Sequence, residues 1–320
     1  MKALRLYGAG RLRVEDEPEP IPAHGEVVVR VDAVGLCGSD RHWFIEGGIG
    51  DATTARPLVL GHEIAATITA GPRAGERVAV DPADPCGRCA YCLRGLAHLC
   101  PEVRFAGHGA TDGGLCTRLA WPERLLQPVP DGLADDAATL LEPLGVALHA
   151  LDLGAVEPGD RAAVFGCGPL GLLVVQLLIR VGAEVFATDP VAHRLAVAHA
   201  LGASATPFEV DVAFEVSGSD DVLDAALELV RPAGRVVLVG IPDGDRTSFS
   251  ASAARRKGLT LLLSRRMKSG DLERAIRLVE RDEISLEGLV TERHAIVAAE
   301  AAFASLVARS GIKIVIEPNA

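Results

Sequence analysis

Six residues near the middle of the chain, Gly166-Cys167-Gly168-Pro169-Leu170-Gly171, constrain its fold more than any other feature. They follow a short apolar run, Arg161 to Phe165, and open a long apolar stretch that reads as a helix to about Val181. Glycines at this spacing between a strand and a helix let the backbone turn tightly and let the two elements pack closely. The alternation then repeats. Strands are expected at Glu184 to Thr188, Asp211 to Val216, Arg235 to Gly240 and Leu259 to Leu263, and helices at Val191 to Leu201, Asp221 to Val230 and Leu272 to Arg281. Such alternation predicts α/β architecture: a doubly wound parallel sheet with both faces covered.

The first half reads differently. Strand candidates at Glu26 to Val31, Ile64 to Thr69 and Arg77 to Val80 are punctuated by Gly and Pro, which predicts a β-rich domain. A helical stretch from Asp135 to Leu153, with Glu142-Pro143-Leu144 inside it, leads into the α/β part. The tail carries a helix, Ile296 to Ala308, and a strand, Lys313 to Glu317. Because the alternating set is complete near residue 283, this tail is expected to return to the first domain. The boundaries expected are therefore 1–146 plus 284–320 for the β-rich domain and 147–283 for the α/β domain.

With 320 residues, 49% hydrophobic and 23% charged, the chain can bury a sizeable core, which excludes disorder. Its net charge of -11 makes nucleic acid and anionic membranes poor partners. Residues 1–24 contain Glu15, Asp16, Glu17 and several prolines and show no apolar core of a secretory signal. The longest apolar stretch, around Leu170 to Ile179, is too short to span a bilayer. A soluble, cytoplasmic protein is expected.

The glycine loop has the context of a dinucleotide site. Gly166, Gly168 and Gly171 let the backbone approach a pyrophosphate, and the helix opening at Pro169 and Leu170 offers free N–H groups and a positive dipole end. Asp189, about twenty residues on at the end of the next strand, stands where a carboxylate binds the adenosine ribose hydroxyls. It would repel a 2′-phosphate, which favours NAD over NADP; Arg194 is the nearby residue that could soften this preference. The bland alternative is a Gly-rich turn in which Asp189 caps a helix.

Four of the seven cysteines crowd together as Cys86-x-x-Cys89-x-x-Cys92 followed by Cys100. Four soft sulfur ligands within reach of one ion suit a closed, structural zinc site. Unliganded buried thiols or an iron–sulfur cluster are the alternatives. Cys116 and Cys167 stand apart and read as buried small residues. A second set, Cys37, His62 and Glu63, sits at strand and loop junctions in the strings Gly35-Leu36-Cys37-Gly38-Ser39-Asp40 and Gly61-His62-Glu63. A thiolate, an imidazole and a carboxylate leave room for a substrate oxygen, as catalytic zinc requires. Taken alone, this trio only suggests a metal site.

The motifs Cys37-Gly38-Ser39-Asp40, Gly61-His62-Glu63, the four-cysteine lobe, Glu142-Pro143 and Gly166-Cys-Gly-Pro-Leu-Gly171 occur here in one order. Together they resemble the zinc-containing medium-chain dehydrogenases, most nearly the sorbitol (polyol) and threonine dehydrogenase branch, over nearly the whole chain. The resemblance implies a GroES-like catalytic domain beside a Rossmann domain, with the tail returning to the former. It implies that Cys37, His62 and Glu63 bind catalytic zinc, that Glu142 reaches the metal directly or through water, and that Ser39 begins a proton relay. His42 is a candidate for the end of that relay, or an ordinary surface or core histidine. Phe105 and Arg265 fall near positions that line the substrate cleft; Trp43 either lines it too or packs beneath a loop.

Two departures stand out. The polyol enzymes carry an aromatic where this chain has Arg266, and the stretch Ser204 to Glu209 before the third Rossmann strand is shorter than usual. The activity implied is hydride transfer between a secondary alcohol (a polyol, sugar alcohol or cyclitol) and NAD. Threonine-type amino alcohols and simple secondary alcohols are alternatives within the class. A non-catalytic NAD-binding protein on the same fold is the alternative outside it, disfavoured because Cys37, His62, Glu63 and Ser39 are all retained. A homodimer or homotetramer is the assembly usual for such enzymes. We predict that Asp189→Ala moves the NAD-to-NADP ratio of kcat/KM at least ~10-fold toward NADP, the scale of one charge-assisted hydrogen bond; an unchanged ratio would remove Asp189 from cofactor choice.

Overall fold

The computed structural model describes residues 1–53 and 56–320. Contacts divide the chain into two units. The first comprises Met1–Glu142, Leu272–Glu280 and Ser285–Ala320, and the second Pro143–Asp271 with Arg281–Ile284. The helix Asp271–Glu280 thus contributes most of its length to the first unit.

The first unit is built on a seven-stranded sheet. Its order is Leu126–Pro128, Arg77–Val80, Glu63–Ile68, Glu26–Gly35, Lys313–Glu317, Val290–Ala295, with Arg118–Pro122 also paired to Glu26–Gly35. The strand Glu26–Gly35 runs four residues beyond its expected end, because Ala33 and Val34 continue the buried pattern of Val29 and Val31. At its far end Gly35 lies opposite Glu63 on one side and Val315 on the other. The last strand of the chain therefore pairs antiparallel with a strand near its beginning. The tail helix begins later than its apolar pattern suggests: a 3-10 turn, Ile296–Ala298, precedes the helix Ala299–Ala308. Its Phe303 is fully buried and packs on Phe44 at 5.0 Å between ring centroids.

The helical stretch expected from Asp135 to Leu153 is broken. The structure has a short helix, Asp135–Ala138, and a separate one, Leu141–Gly154. The reason is Pro143. It has no N–H to donate and its ring would clash with the carbonyl four residues back, so it is tolerated only in a first helical turn. The chain restarts at Leu141, and this places Glu142 in that turn.

The second unit is a five-stranded parallel sheet in the order Glu184–Thr188, Arg161–Phe165, Val210–Glu215, Val230–Leu238, Thr260–Leu263. Strand order reverses at Arg161–Phe165: the next strand lies on one side of it and the third on the other. Such a reversal leaves a crevice outside the carboxyl ends of the strands. The helix Pro169–Val181 buries Leu172, Leu173, Val174, Val175, Leu177 and Leu178, which explains why it is apolar nearly all round. Beyond Glu184–Thr188, among the described residues, the sheet continues only as an isolated parallel bridge, Phe186 to Ser204. The fourth strand stops at Leu238, before the expected Gly240, because Gly240 turns to pack its backbone on Gly218. Among the described residues, no helix is long and apolar enough to cross a membrane.

Phe303→Ala is expected to destabilise the first unit by about 3–5 kcal/mol, the range for emptying a buried aromatic site. Denaturant unfolding followed at the first unit's tryptophans, Trp43 and Trp121, measures it; a loss below ~1 kcal/mol would mean that the tail helix does not anchor this core.

Candidate metal centre and dinucleotide loop

Three chain segments bring the mixed ligand set together. Cys37 is the residue before the helix Gly38–Glu46, in extended conformation (φ -104°, ψ 161°). Its N–H donates to Asp40 Oδ2 at 2.9 Å, the reciprocal bond of a helix start three residues apart. Gly61 takes φ +91°, and a side chain there would strike Val34 and Leu115, so the chain reaches His62 by a turn that needs glycine. Glu63 begins the neighbouring strand, and Gly35 opposite must lack a side chain because the Glu63 side chain fills that space (its Cβ would lie 3.2 Å from where a Gly35 Cβ would be). One ligand atom from each of Cys37, His62 and Glu63 falls within 4.8 Å of the others. His62 and Glu63 are buried.

The surroundings set the charge. Asp40 is fully buried; it also accepts from Gly61 N–H at 3.3 Å, and its Oδ1 lies 3.8 Å from His62 Nδ1. This leaves Nε2 as the metal-facing nitrogen, with a carboxylate behind the ring as is usual for a ligating histidine. Burial alone would lower the His62 pKa, but the Asp40 charge, with Cys37 and Glu142, outweighs it and raises it well above the ordinary value. Burial raises the Asp40 pKa in turn. Ser39 Oγ lies 3.4 Å from His62 Nε2, and the Phe105 ring stands 5.5 Å from the imidazole. Both residues therefore meet at this centre.

Glu142 is buried and lies outside the tight trio, yet its charge acts on His62. Burial pushes its pKa up to about 7, and the neighbouring Glu63 charge adds to the rise. Glu63 has a partner that sequence reasoning missed. Lys313, buried in the last strand, donates through Nζ to Glu63 Oε2 and to the Leu36 carbonyl at 3.1 Å. A lone lysine inside Ile312-Lys313-Ile314-Val315-Ile316 was the available signal, since a charge in a buried strand demands a counter-charge. Asp40 was likewise visible in its motif, but without a role. A thiol, an imidazole and two buried carboxylates are a donor set that suits a divalent ion with an open position.

His42 and Trp43 are both buried on the helix Gly38–Glu46. His42 Nδ1 pairs with Glu46 at 2.7 Å, and Trp43 packs edge-on against His108 at 5.3 Å, the placement of an aromatic beneath a loop.

In the cysteine lobe all four sulfurs fall within 4.8 Å of one another. Cys89 Sγ lies 3.5 Å from Cys92 Sγ and 3.9 Å from Cys100 Sγ. A tetrahedral zinc with Zn–S near 2.3 Å requires S···S edges of about 3.8 Å, so the spacing fits. Backbone N–H donors from Arg88 and Cys89 lower the Cys86 pKa to about 7, while desolvation and its bond to Cys89 push Cys92 up to about 12. Four thiolates this close repel one another unless a cation joins them. The two remaining cysteines, Cys116 and Cys167, are buried, and burial pushes both thiols up to about 12.

In the second unit, Gly166 takes φ +102°, and a side chain on Gly171 would collide with the Gly166 carbonyl. Pro169 and Leu170 form the first turn of the helix that follows Gly168. Asp189 Oδ2 accepts from Cys167 N–H at 2.6 Å and Oδ1 from Val191 N–H at 2.7 Å. A carboxylate has about four acceptor positions, so capping and ribose binding are compatible in the same side chain. The Arg194 guanidinium lies 3.9 Å from the position of a Gly168 Cβ, over the glycine loop. Arg265 is exposed just past the strand Thr260–Leu263, and Arg266 beside it adopts φ +58°.

Comparisons with known proteins agree with this architecture. Residues 23–131 match the alcohol dehydrogenase GroES-like domain, and residues 204–281 match the zinc-binding dehydrogenase domain. The chain is 34% identical to sorbitol dehydrogenase of Bacillus subtilis over 266 residues, 76% of this chain and 75% of that protein. It is also 34% identical to the "probable D-xylulose reductase A" of Arthroderma otae, over 97% of this chain and 95% of that one. Its fold superposes with a TM-score of 0.89 on a protein of Escherichia coli CFT073 described as a "short chain alcohol dehydrogenase" and complexed with NADH, at 27% identity and 99% of both chains. A zinc-binding dehydrogenase of Sinorhizobium meliloti 1021 bound to NADP gives the same score at 28% identity, again over 99% of both chains.

The chain belongs to the zinc-containing medium-chain dehydrogenase family, in its polyol dehydrogenase branch. It is an alcohol/polyol dehydrogenase, and membership brings zinc and a nicotinamide cofactor.

The raised Glu142 pKa makes a prediction for zinc-stripped protein. A carboxyl whose folded pKa is about 7 against 4.5 for an ordinary glutamate holds its proton in the fold while the unfolded chain releases it. Stability therefore falls as pH rises from about 4.5 to 7 and stays lower above. Glu142→Gln should reduce that fall without removing it, because burial raises the Asp40 pKa as well; equal denaturant midpoints for the stripped parent at pH 5 and pH 8 would contradict it.

Proposed function

We propose that this chain moves a hydride between a secondary carbinol of a polyol, sugar alcohol or cyclitol and NAD. The cluster of Cys37, His62 and Glu63, within 4.8 Å and with the Ser39 hydroxyl 3.4 Å from His62, carries the reading. In it, Cys37, His62 and Glu63 hold the catalytic zinc, with Glu142 as the adjacent carboxylate that reaches it directly or through water. Cys86, Cys89, Cys92 and Cys100 hold the structural zinc. Bound at the first site, zinc supplies the Lewis acidity that favours alkoxide over alcohol near neutral pH.

The chain's own groups do the rest. Ser39 accepts the alcohol proton on its oxygen as its own hydroxyl proton passes outward to solvent, and Asp40 fixes the His62 ring through the Nδ1 side. Phe105 gives the substrate an apolar wall beside the imidazole, and Arg265 is the proposed cationic contact. Gly166, Gly168, Pro169, Leu170 and Gly171 cradle the pyrophosphate at the helix start, where Arg194 adds positive charge. Asp189 keeps acceptor positions for the ribose hydroxyls, which supports NAD over NADP. The polyol assignment draws its support from the relatives named sorbitol dehydrogenase and D-xylulose reductase.

Cys37→Ser and His62→Ala should each lower kcat by ~10³-fold or more, the scale of several kcal/mol of lost charge stabilisation, while NADH binding stays within ~3-fold. The assay is NAD reduction across polyols, cyclitols, amino alcohols and simple alcohols. Variants with parental turnover would sink the metal assignment, and turnover restricted to amino alcohols or simple alcohols would sink the polyol reading.

A further inference from the structure

The second unit contains a buried carboxylate that the glycine loop and Asp189 do not account for. Glu215 ends the strand Val210–Glu215 and is 3% exposed. One of its oxygens, Oε1, accepts three donors: Ser217 N–H at 2.7 Å, Ser217 Oγ–H at 2.5 Å and Gly218 N–H at 2.9 Å. The Ser217 hydroxyl in turn accepts from Ser219 N–H at 3.2 Å, at the start of the helix Asp220–Leu229. Four polar groups of one turn thus converge, directly or through Ser217, on a single carboxylate.

Its position gives this cluster a purpose. Glu215 lies opposite Phe165 in the parallel register, and Phe165 is the last strand residue before the glycine loop. The two strands flank the point where strand order reverses, so the crevice opens directly beyond Phe165 and Glu215. Three turns meet there with backbone against backbone. A side chain on Gly166 would come within 3.2 Å of Ser217 N. One on Gly218 would strike the Ile241 carbonyl, and one on Gly240 would strike the Gly218 backbone and come within 2.9 Å of Glu215 Oε2. Glu215 also ties the strands' ends through its carbonyl, which accepts from Val239 N–H at 2.8 Å and Gly240 N–H at 3.0 Å.

We propose that Glu215 is a positioning residue for the nicotinamide dinucleotide: its carboxylate sets the Ser217–Gly218 turn against Gly166, and so fixes the wall of the crevice that receives the cofactor. It touches no reacting atom and acts through Ser217, Gly218 and the glycine loop. The inference rests on the cofactor reading above.

The test is direct NADH binding by fluorescence titration, with kcat, KM for NAD, zinc content and melting temperature measured on the same preparations of full-length protein. Glu215→Ala leaves the turn's donors without an acceptor; it should raise the NADH Kd and the KM for NAD at least 10-fold. At saturating NAD, kcat should stay within about 3-fold and zinc content should be unchanged. Glu215→Gln keeps a carbonyl oxygen in place and should restore Kd to within about 3-fold of the parent. Ser217→Ala, which removes one donor and leaves the carboxylate, should weaken NADH binding by a smaller factor, about 3-fold. A lower melting temperature with unchanged NADH Kd in the folded protein would assign Glu215 a merely structural role and overturn the proposal. Equal weakening in Glu215→Gln and Glu215→Ala would overturn it too. If the parent binds neither NADH nor NADPH, it is the cofactor reading that fails.

Discussion

The buried pair of Lys313 and Glu63 is the constraint on which the metal centre depends. Each side chain is nearly inaccessible to water, and the two residues are 250 positions apart in the chain. Removing one partner of such a pair strands a buried charge and costs about 3–5 kcal/mol, so the tail strand cannot leave the sheet without penalty. Lys313 also holds the Leu36 carbonyl, next to Cys37. One ammonium group therefore positions both a ligand and the neighbour of another. Gly35 completes the arrangement by leaving space for the Glu63 side chain.

A parallel economy governs the second unit. Its sheet presents to the crevice a row of turns whose backbone N–H groups need acceptors. Two carboxylates at strand ends provide them. Asp189 takes Cys167 and Val191, and Glu215 takes Ser217 and Gly218. The glycines at 166, 218 and 240 then allow those turns to touch without side chains between them. A cofactor would meet a surface already ordered, which reduces the entropy lost on binding.

Much of this was legible in the sequence because the motifs are local. The alternation after Arg161, the glycine loop and the cysteine spacing each specify their own geometry within a few residues. So does Cys37 at the start of a helix with Asp40 three residues on. What escaped was long-range or set by a single residue. Nothing local predicts that Lys313 meets Glu63; Phe105, which the family resemblance had placed near the cleft, stands tilted beside His62. Glu215 read as an ordinary strand residue, because its role is to satisfy the turn that follows. Pro143 broke a helix that apolar periodicity had drawn as continuous, and in doing so fixed where Glu142 begins its turn. The short Ser204 to Glu209 stretch was visible in the sequence, but the isolated bridge from Phe186 to Ser204 needed the pairing itself.

The central claim is that Cys37, His62 and Glu63 form a metal centre distinct from the cysteine lobe. Anomalous diffraction at the zinc edge from crystals of the full chain tests it most directly. The account predicts two peaks: one about 2.0–2.3 Å from Cys37 Sγ and His62 Nε2, the other surrounded by Cys86, Cys89, Cys92 and Cys100. A single peak confined to the lobe, in protein that oxidises its alcohol at full rate, would contradict it.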